Sequence, residues 1–194
     1  MENQPQSFNT KEELQAFMRK GYQEVRKLFL PDLLDALKRE DWKEFINIAL
    51  SKYQVMPDAF FFYDKVPDEL KYNFAIEAYG NHGDSIPAVR KAVRSARKYG
   101  APTLPDEIAK QEVITIYRAG EEPPRLAPYR ISWTTDFDIA LFFLEKWQGR
   151  HANYLYQGKI KTADIIAYTD DRNEAEVMQY RKVFDIEVLR EGRT

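Results

Sequence analysis

The 194-residue chain has no cysteine, which excludes a disulfide framework, a thiolate zinc site and a cysteine nucleophile together. A reducing compartment is compatible with that absence. Glycine is sparse: the eight present form neither a GxGxxG nor a Walker loop, so a Rossmann or P-loop phosphate cradle is not expected. There are two histidines, His82 and His151, too few for a histidine-rich metal site, and both read as loop residues. No GxSxG elbow marks a serine hydrolase. No apolar run approaches the roughly 20 residues needed to span a bilayer, and Met1 to Thr10 are too polar for a secretory leader. The expectation is a soluble, cytoplasmic protein, or one delivered into a target cell by a route that leaves no N-terminal signal. A net charge of −2 gives no global sign of a nucleic-acid binder.

What is present is enough apolar material for a core: 44% hydrophobic residues, with aromatics at 14% of the chain. The first half has helical periodicity. Thr10 and Glu13 form a capping-box pattern ahead of Leu14, Phe17, Met18, Tyr22 and Val25. Pro31 is read as the start of a second, short helix with Leu33, Leu34 and Leu37. Asp41 caps a third, with Phe45, Ile46, Leu50 and Tyr53 on its apolar side. Pro67-Asp68-Glu69 opens a fourth, with Leu70, Phe74, Ala75 and Ala78 inward, followed by a turn over Gly80–Asp84. A fifth runs from Ser85 to Tyr99 and stops at Gly100.

The second half changes period. Val113-Ile114-Thr115-Ile116-Tyr117 is β-branched and strand-like, and Tyr129 to Thr134 reads as a second strand. Asp136 caps a helix from Phe137 to about Trp147, and further strands fall near 153–160, 163–168, 176–179 and 183–189. Helices first and strands later predict an α+β fold, not a repeating βαβ unit. Residues 1–60 are expected to form an N-terminal helical cap or docking region, and 61–194 the main, strand-bearing domain.

Three polar signals punctuate the strands. Arg118 ends the first, where a fork of donors suits phosphate or carboxylate; read singly, its commoner use is a salt bridge to a nearby acid. Ser132-Trp133-Thr134 alternates hydroxyl, indole, hydroxyl, placing both hydroxyls on one strand face, as an ordinary half-exposed edge strand also would. Glu174 and Glu176 are expected to share one strand face, with Val177 in the core behind them. Paired carboxylates repel, so they are either well solvated or purposeful.

In this order and context, Ile-Tyr-Arg118, Ser132-Trp133-Thr134 with the helix Ala140-Leu141-Phe142-Phe143, and Glu174-Ala175-Glu176-Val177 resemble the Arg–Ser–Glu branch of the ADP-ribosyltransferase superfamily. The resemblance covers roughly residues 110–190 and departs from the usual Ser-Thr-Ser, which here is Ser-Trp-Thr. It implies a mainly antiparallel, mixed and split β-sheet core and NAD as co-substrate, without a metal. It also implies that Arg118 contacts the NAD phosphates, that Ser132 with Thr134 orders the nicotinamide-ribose pocket, and that Arg150 is a second phosphate contact. Glu176 would bind the ribose 2′-hydroxyl and stabilise an oxocarbenium-like transition state, as in glycoside cleavage. Glu174 would orient or deprotonate the acceptor, and the polar turn Asp170-Asp171-Arg172-Asn173 matches the place where the family recognises it.

The resemblance therefore implies a mono-ADP-ribosyltransferase of bacterial or phage style, acting as a toxin or effector on a macromolecular acceptor, foremost protein arginine, and leaves a neutralising partner open. A helix carrying Arg90, Lys91, Arg94, Arg97 and Lys98 with no acid between Ser85 and Gly100 keeps RNA or DNA open as the acceptor. NAD hydrolysis is the second enzymatic reading, and a catalytically silent interaction module the non-enzymatic one.

Overall fold

The computed structural model describes residues 10–147, 152–170 and 173–191. The chain divides into two compact units, Met1–Pro67 and Asp68–Thr194. The first holds helices α1 (Lys11–Lys38), α2 (Trp42–Ser51) and α3 (Met56–Phe61). Caps fall where the sequence places them: the hydroxyl of Thr10 accepts from the Glu13 backbone N–H at 3.1 Å, and the Asp41 carboxylate from that of Glu44 at 3.1 Å. Pro31 does not begin a new helix. It lies inside α1, which continues across it. The missing N–H removes one backbone bond, and the bonded turns on either side, with Leu33 and Ala36 fully buried, hold the helix together. Arg26 grips Asp58 through two hydrogen bonds of 2.8 and 2.7 Å, tying α1 to α3.

The second unit opens with α4 (Asp68–His82) and α5 (Pro87–Ser95), then a short α6 (Asp106–Ala109). The helix α4 absorbs part of the expected turn, so His82 is its last residue and not a loop residue. Strands β1 (Val113–Gly120), β2 (Ser132–Thr134), β3 (Tyr154–Lys161), β4 (Ala167–Thr169), β5 (Glu176–Met178) and β6 (Phe184–Glu191) follow, with α7 (Phe137–Trp147) between β2 and β3. The fold is α+β: helices, then one six-stranded sheet in the order β4-β5-β2-β1-β3-β6, each pairing antiparallel.

The pairing is uneven. Strands β1 and β3 match over eight residues, from Val113↔Lys161 to Gly120↔Tyr154. By contrast β1 meets β2 at a single pair, Tyr117↔Thr134, so two three-stranded groups are joined by one residue pair. Alternation along the strands sends Ile114, Ile116, Trp133, Tyr156 and Val177 to one core. Tyr117, Ala119 and Leu155 pack on the opposite face with Ala140 and Leu144 of α7. The Tyr72 hydroxyl of α4 donates to the Ile166 carbonyl at 2.9 Å, holding that helix beside the β4 edge.

Gly158 lies at a close approach within the sheet, because a Cβ there would collide with the Val183 side chain. Gly158→Ala is therefore expected to lower unfolding free energy by about 1–3 kcal/mol, the usual cost of overpacking, measured by urea denaturation.

Candidate functional site

The single β1–β2 pair sits beside a cavity of about 300 Å3 lined by Arg118, Ser132, Thr134, Glu174 and Glu176, with Tyr117, Ile139 and Phe143 among its apolar walls. Five residues singled out from the sequence thus line one space, although they lie on separate elements. Arg150 lies outside the described residues, as do His151 and the turn residues Asp171 and Arg172.

The backbone explains how each polar group arrives. Thr134 pairs with Tyr117 on one side and Glu176 on the other, so it stands between β1 and β5. Its hydroxyl donates to the Glu174 carbonyl at 2.6 Å and accepts the Asp136 N–H at 3.0 Å. The same hydroxyl therefore anchors the segment that carries Glu174 and the start of α7. The Asp136 carboxylate then accepts the N–H groups of Asp138 at 2.7 Å and Ile139 at 3.2 Å, capping α7 as expected. Trp133 points away into the core, only 2% exposed, with its indole N–H on the Arg130 carbonyl.

Glu174 and Glu176 do not share a strand face. The strand begins at Glu176, and Ala175 between them is left-handed at φ 44°. Asn173 is also left-handed at φ 54°. Asp170 stabilises this shape by accepting the Ala175 N–H on its carboxylate and the Asn173 N–H on its carbonyl, both at 2.9 Å. A left-handed alanine costs about 1–2 kcal/mol, and here the turn it makes brings Glu174 to the cavity without strand alternation. Glu176 is buried at 5% exposure, whereas Glu174 is half-buried.

Arg118 lies on the other parity of β1 from Tyr117, next to the residue that makes the single β1–β2 pair. Its Nη1 donates to the Ser132 carbonyl at 2.6 Å and its Nε to the Glu122 carboxylate at 2.9 Å. Glu122 also sits 3.5 Å from Arg130 Nε, and Arg130 Nη1 reaches Asp84 at 3.3 Å. The Tyr79 hydroxyl donates to Asp84 at 3.3 Å. Burial raises the Tyr79 pKa most, reinforced by the Asp84 carboxylate and, further down, by Glu176, while the positive charge of Arg118 opposes them. Tyr79 is thus a neutral donor close enough to sense both Arg118 and Glu176. Tyr79, Asp84, Glu122 and Arg130 were not legible from the sequence as site residues, since none falls in a motif. The signal that existed was Gly120, two residues before a glutamate.

A second, larger cleft of about 950 Å3 shares Glu174 and Glu176 with the first. Tyr72, Tyr99 and Tyr168 flank it, and it adds Glu69, Glu77 and Asp170; among the described residues its lining includes no lysine or arginine. Of the cationic residues around α5, Arg94 lies over the Tyr180 ring at 4.0 Å. Among the described residues no group of three or more His, Asp or Glu is placed to hold a metal ion. None of the described helices is long and apolar enough to cross a membrane.

Compared with known proteins, the chain matches no family model, no curated protein and no solved structure.

Proposed function

We propose that the protein is an NAD-dependent mono-ADP-ribosyltransferase with an ADP-ribosyltransferase-type sheet, cleaving the nicotinamide–ribose bond and passing ADP-ribose to a protein arginine. The observation that carries this reading is the convergence of Arg118, Ser132, Thr134, Glu174 and Glu176 on one cavity beside the single β1–β2 pair. Its volume, at the lower end of small-molecule sites, suits the nicotinamide-ribose end of a dinucleotide. The buried Glu176 carboxylate, beside that end, would stabilise positive charge as the glycosidic bond stretches. Arg118 retains donors for a phosphate after its two internal hydrogen bonds.

The acceptor side favours a cation over a nucleic acid. Carboxylates at Glu69, Glu77, Asp170, Glu174 and Glu176 line the larger cleft; they attract a guanidinium and repel a phosphate backbone. A guanidinium must lose a proton to attack, and Glu174, on the rim common to both spaces, is the carboxylate to receive it. Delivery as a toxin or effector in the cytoplasm, and a neutralising partner, are consistent with such an activity. Labelled NAD incubated with cell lysate tests the reading: label is expected in protein and stable to ribonuclease and deoxyribonuclease, and its absence from every macromolecule would overturn transferase activity. Glu174→Ala is expected to reduce transfer to arginine by about 100-fold, the scale of one lost proton-transfer group, while nicotinamide release to water changes less than threefold. An equal fall in both would remove Glu174 from the acceptor role.

A further inference from the structure

Glu122 is among the most buried charged groups in the protein, its side chain 3% exposed, and it lies outside every motif. It reaches that position by folding back over the end of β1. A Cβ on Gly120 would stand 2.6 Å from the Glu122 carboxylate, so only glycine leaves room for it. The turn is pinned on both sides: the Asn153 N–H donates to the Gly120 carbonyl at 2.8 Å, and the Tyr156 hydroxyl donates to the Glu122 carbonyl. Its carboxylate then accepts Arg118 Nε at 2.9 Å, while the Ser132 carbonyl takes Arg118 Nη1 at 2.6 Å. Two of the five guanidinium N–H groups are thereby used from two directions, which fixes the plane of the group. Arg118 Nη2 makes no hydrogen bond among the described residues; the side chain is 19% exposed, and Arg118 is one of the residues lining the smaller cavity.

We propose that Glu122 is the positioning residue for an anion site at Arg118: it fixes the guanidinium so that its remaining donors serve a phosphate, and its own charge weakens the hold on that phosphate. The inference rests on reading the cavity as a dinucleotide site, where the anion is the diphosphate. Orientation and charge act in opposite directions, and substitutions separate them. Glu122→Gln keeps an acceptor oxygen in place and removes the negative charge, which strengthens the field of Arg118 and Arg130. Glu122→Ala removes both and frees the guanidinium to rotate.

The test is calorimetric titration of the full-length protein with inorganic pyrophosphate and, separately, NAD, together with the NMR signal of the Arg118 Nε–H. Glu122→Gln is expected to retain a slowly exchanging Nε–H and to bind pyrophosphate at least threefold tighter. Glu122→Ala is expected to lose the protected signal and to bind pyrophosphate and NAD at least tenfold more weakly, with KM for NAD rising and kcat changing less than threefold. Should Glu122→Ala fail to fold, Gly120→Ala, which displaces the carboxylate, is expected to weaken binding in the same way. A merely structural glutamate would lower the folded fraction while leaving the affinity of folded molecules unchanged. Shifts of the same sign in the Gln and Ala variants, or none in either, would overturn the inference. A wild-type protein that binds pyrophosphate but not NAD would refute the dinucleotide reading alone, and one that binds neither would refute both.

Discussion

Glu176→Gln is expected to slow nicotinamide release from NAD by about a thousandfold, the upper range for removing one preorganised electrostatic contact, while leaving NAD affinity within tenfold. The carboxylate is 5% exposed on β5, paired across to Thr134, and lines both the smaller cavity and the larger cleft. Little water screens it, so in the proposed reaction its charge would act on a developing oxocarbenium ion far more strongly than a surface carboxylate would. Glutamine has nearly the same shape and can still accept a hydrogen bond through its oxygen. What it lacks is the negative charge, and in the proposed reaction that charge would matter most in the transition state, where the ribose would become cationic. The loss therefore belongs in kcat and not in binding. Rates measured by nicotinamide release, beside NAD titration and a thermal melt of the same preparation, separate chemistry from folding. Unchanged release would remove Glu176 from the mechanism.

Arg118→Ala is expected to lower unfolding free energy by about 3 kcal/mol, because it strips a buried carboxylate of its closest cation. Among the described residues the Glu122 carboxylate would keep Arg130 as its one ion-pair partner, at 3.5 Å, and the Ser132 carbonyl would lose its 2.6 Å donor. Such groups cost most when one partner is removed and the other stays buried. Arg118→Lys is expected to fall between the two, since a single ammonium cannot reach Glu122 and Ser132 in the same planar geometry. Combining Arg118→Met with Glu122→Leu removes both buried charges and is expected to regain most of the lost stability. The double variant should still bind NAD at least 100-fold more weakly than wild type, because the proposed phosphate contact would be gone. Urea denaturation and NAD titration of the three variants check the series. Equal stability of Arg118→Ala and wild type would mean that the Arg118–Glu122 pair contributes nothing net.

The two residues illustrate different kinds of legibility. Arg118 stood out at the end of a β-branched run, and its position with Ser132 and Glu176 in chain order suggested a common site. Read alone, its commoner use was a salt bridge, and it does make one, to Glu122. The partner could not be found beforehand, because nothing in Gly-Glu-Glu-Pro-Pro says which glutamate turns inward. That choice follows from the space left by Gly120 and from the Tyr156 hydroxyl on a neighbouring strand. Glu174 and Glu176 were expected on one strand face by alternation, and the left-handed Ala175 breaks that alternation. Alanine has no special preference for that conformation, so the kink comes from the bonds of Asp170 and Thr134 around it. Pro31 misled for the opposite reason: a local helix breaker was overridden by the turns and burial on both sides.

By itself, the sequence determined what depends on neighbours a few residues apart: the caps at Thr10, Asp41 and Asp136, the β-branched strand at Val113, and the order of helices before strands that makes an α+β chain. Those signals are carried by bonds and periodicities spanning three or four positions. Only the tertiary structure decided that β1 and β2 meet at one pair, that Glu122 closes on Arg118, and that a second, carboxylate-lined cleft shares Glu174 and Glu176. These are matters of space and charge between segments distant in the chain, where burial decides which of many polar side chains become partners.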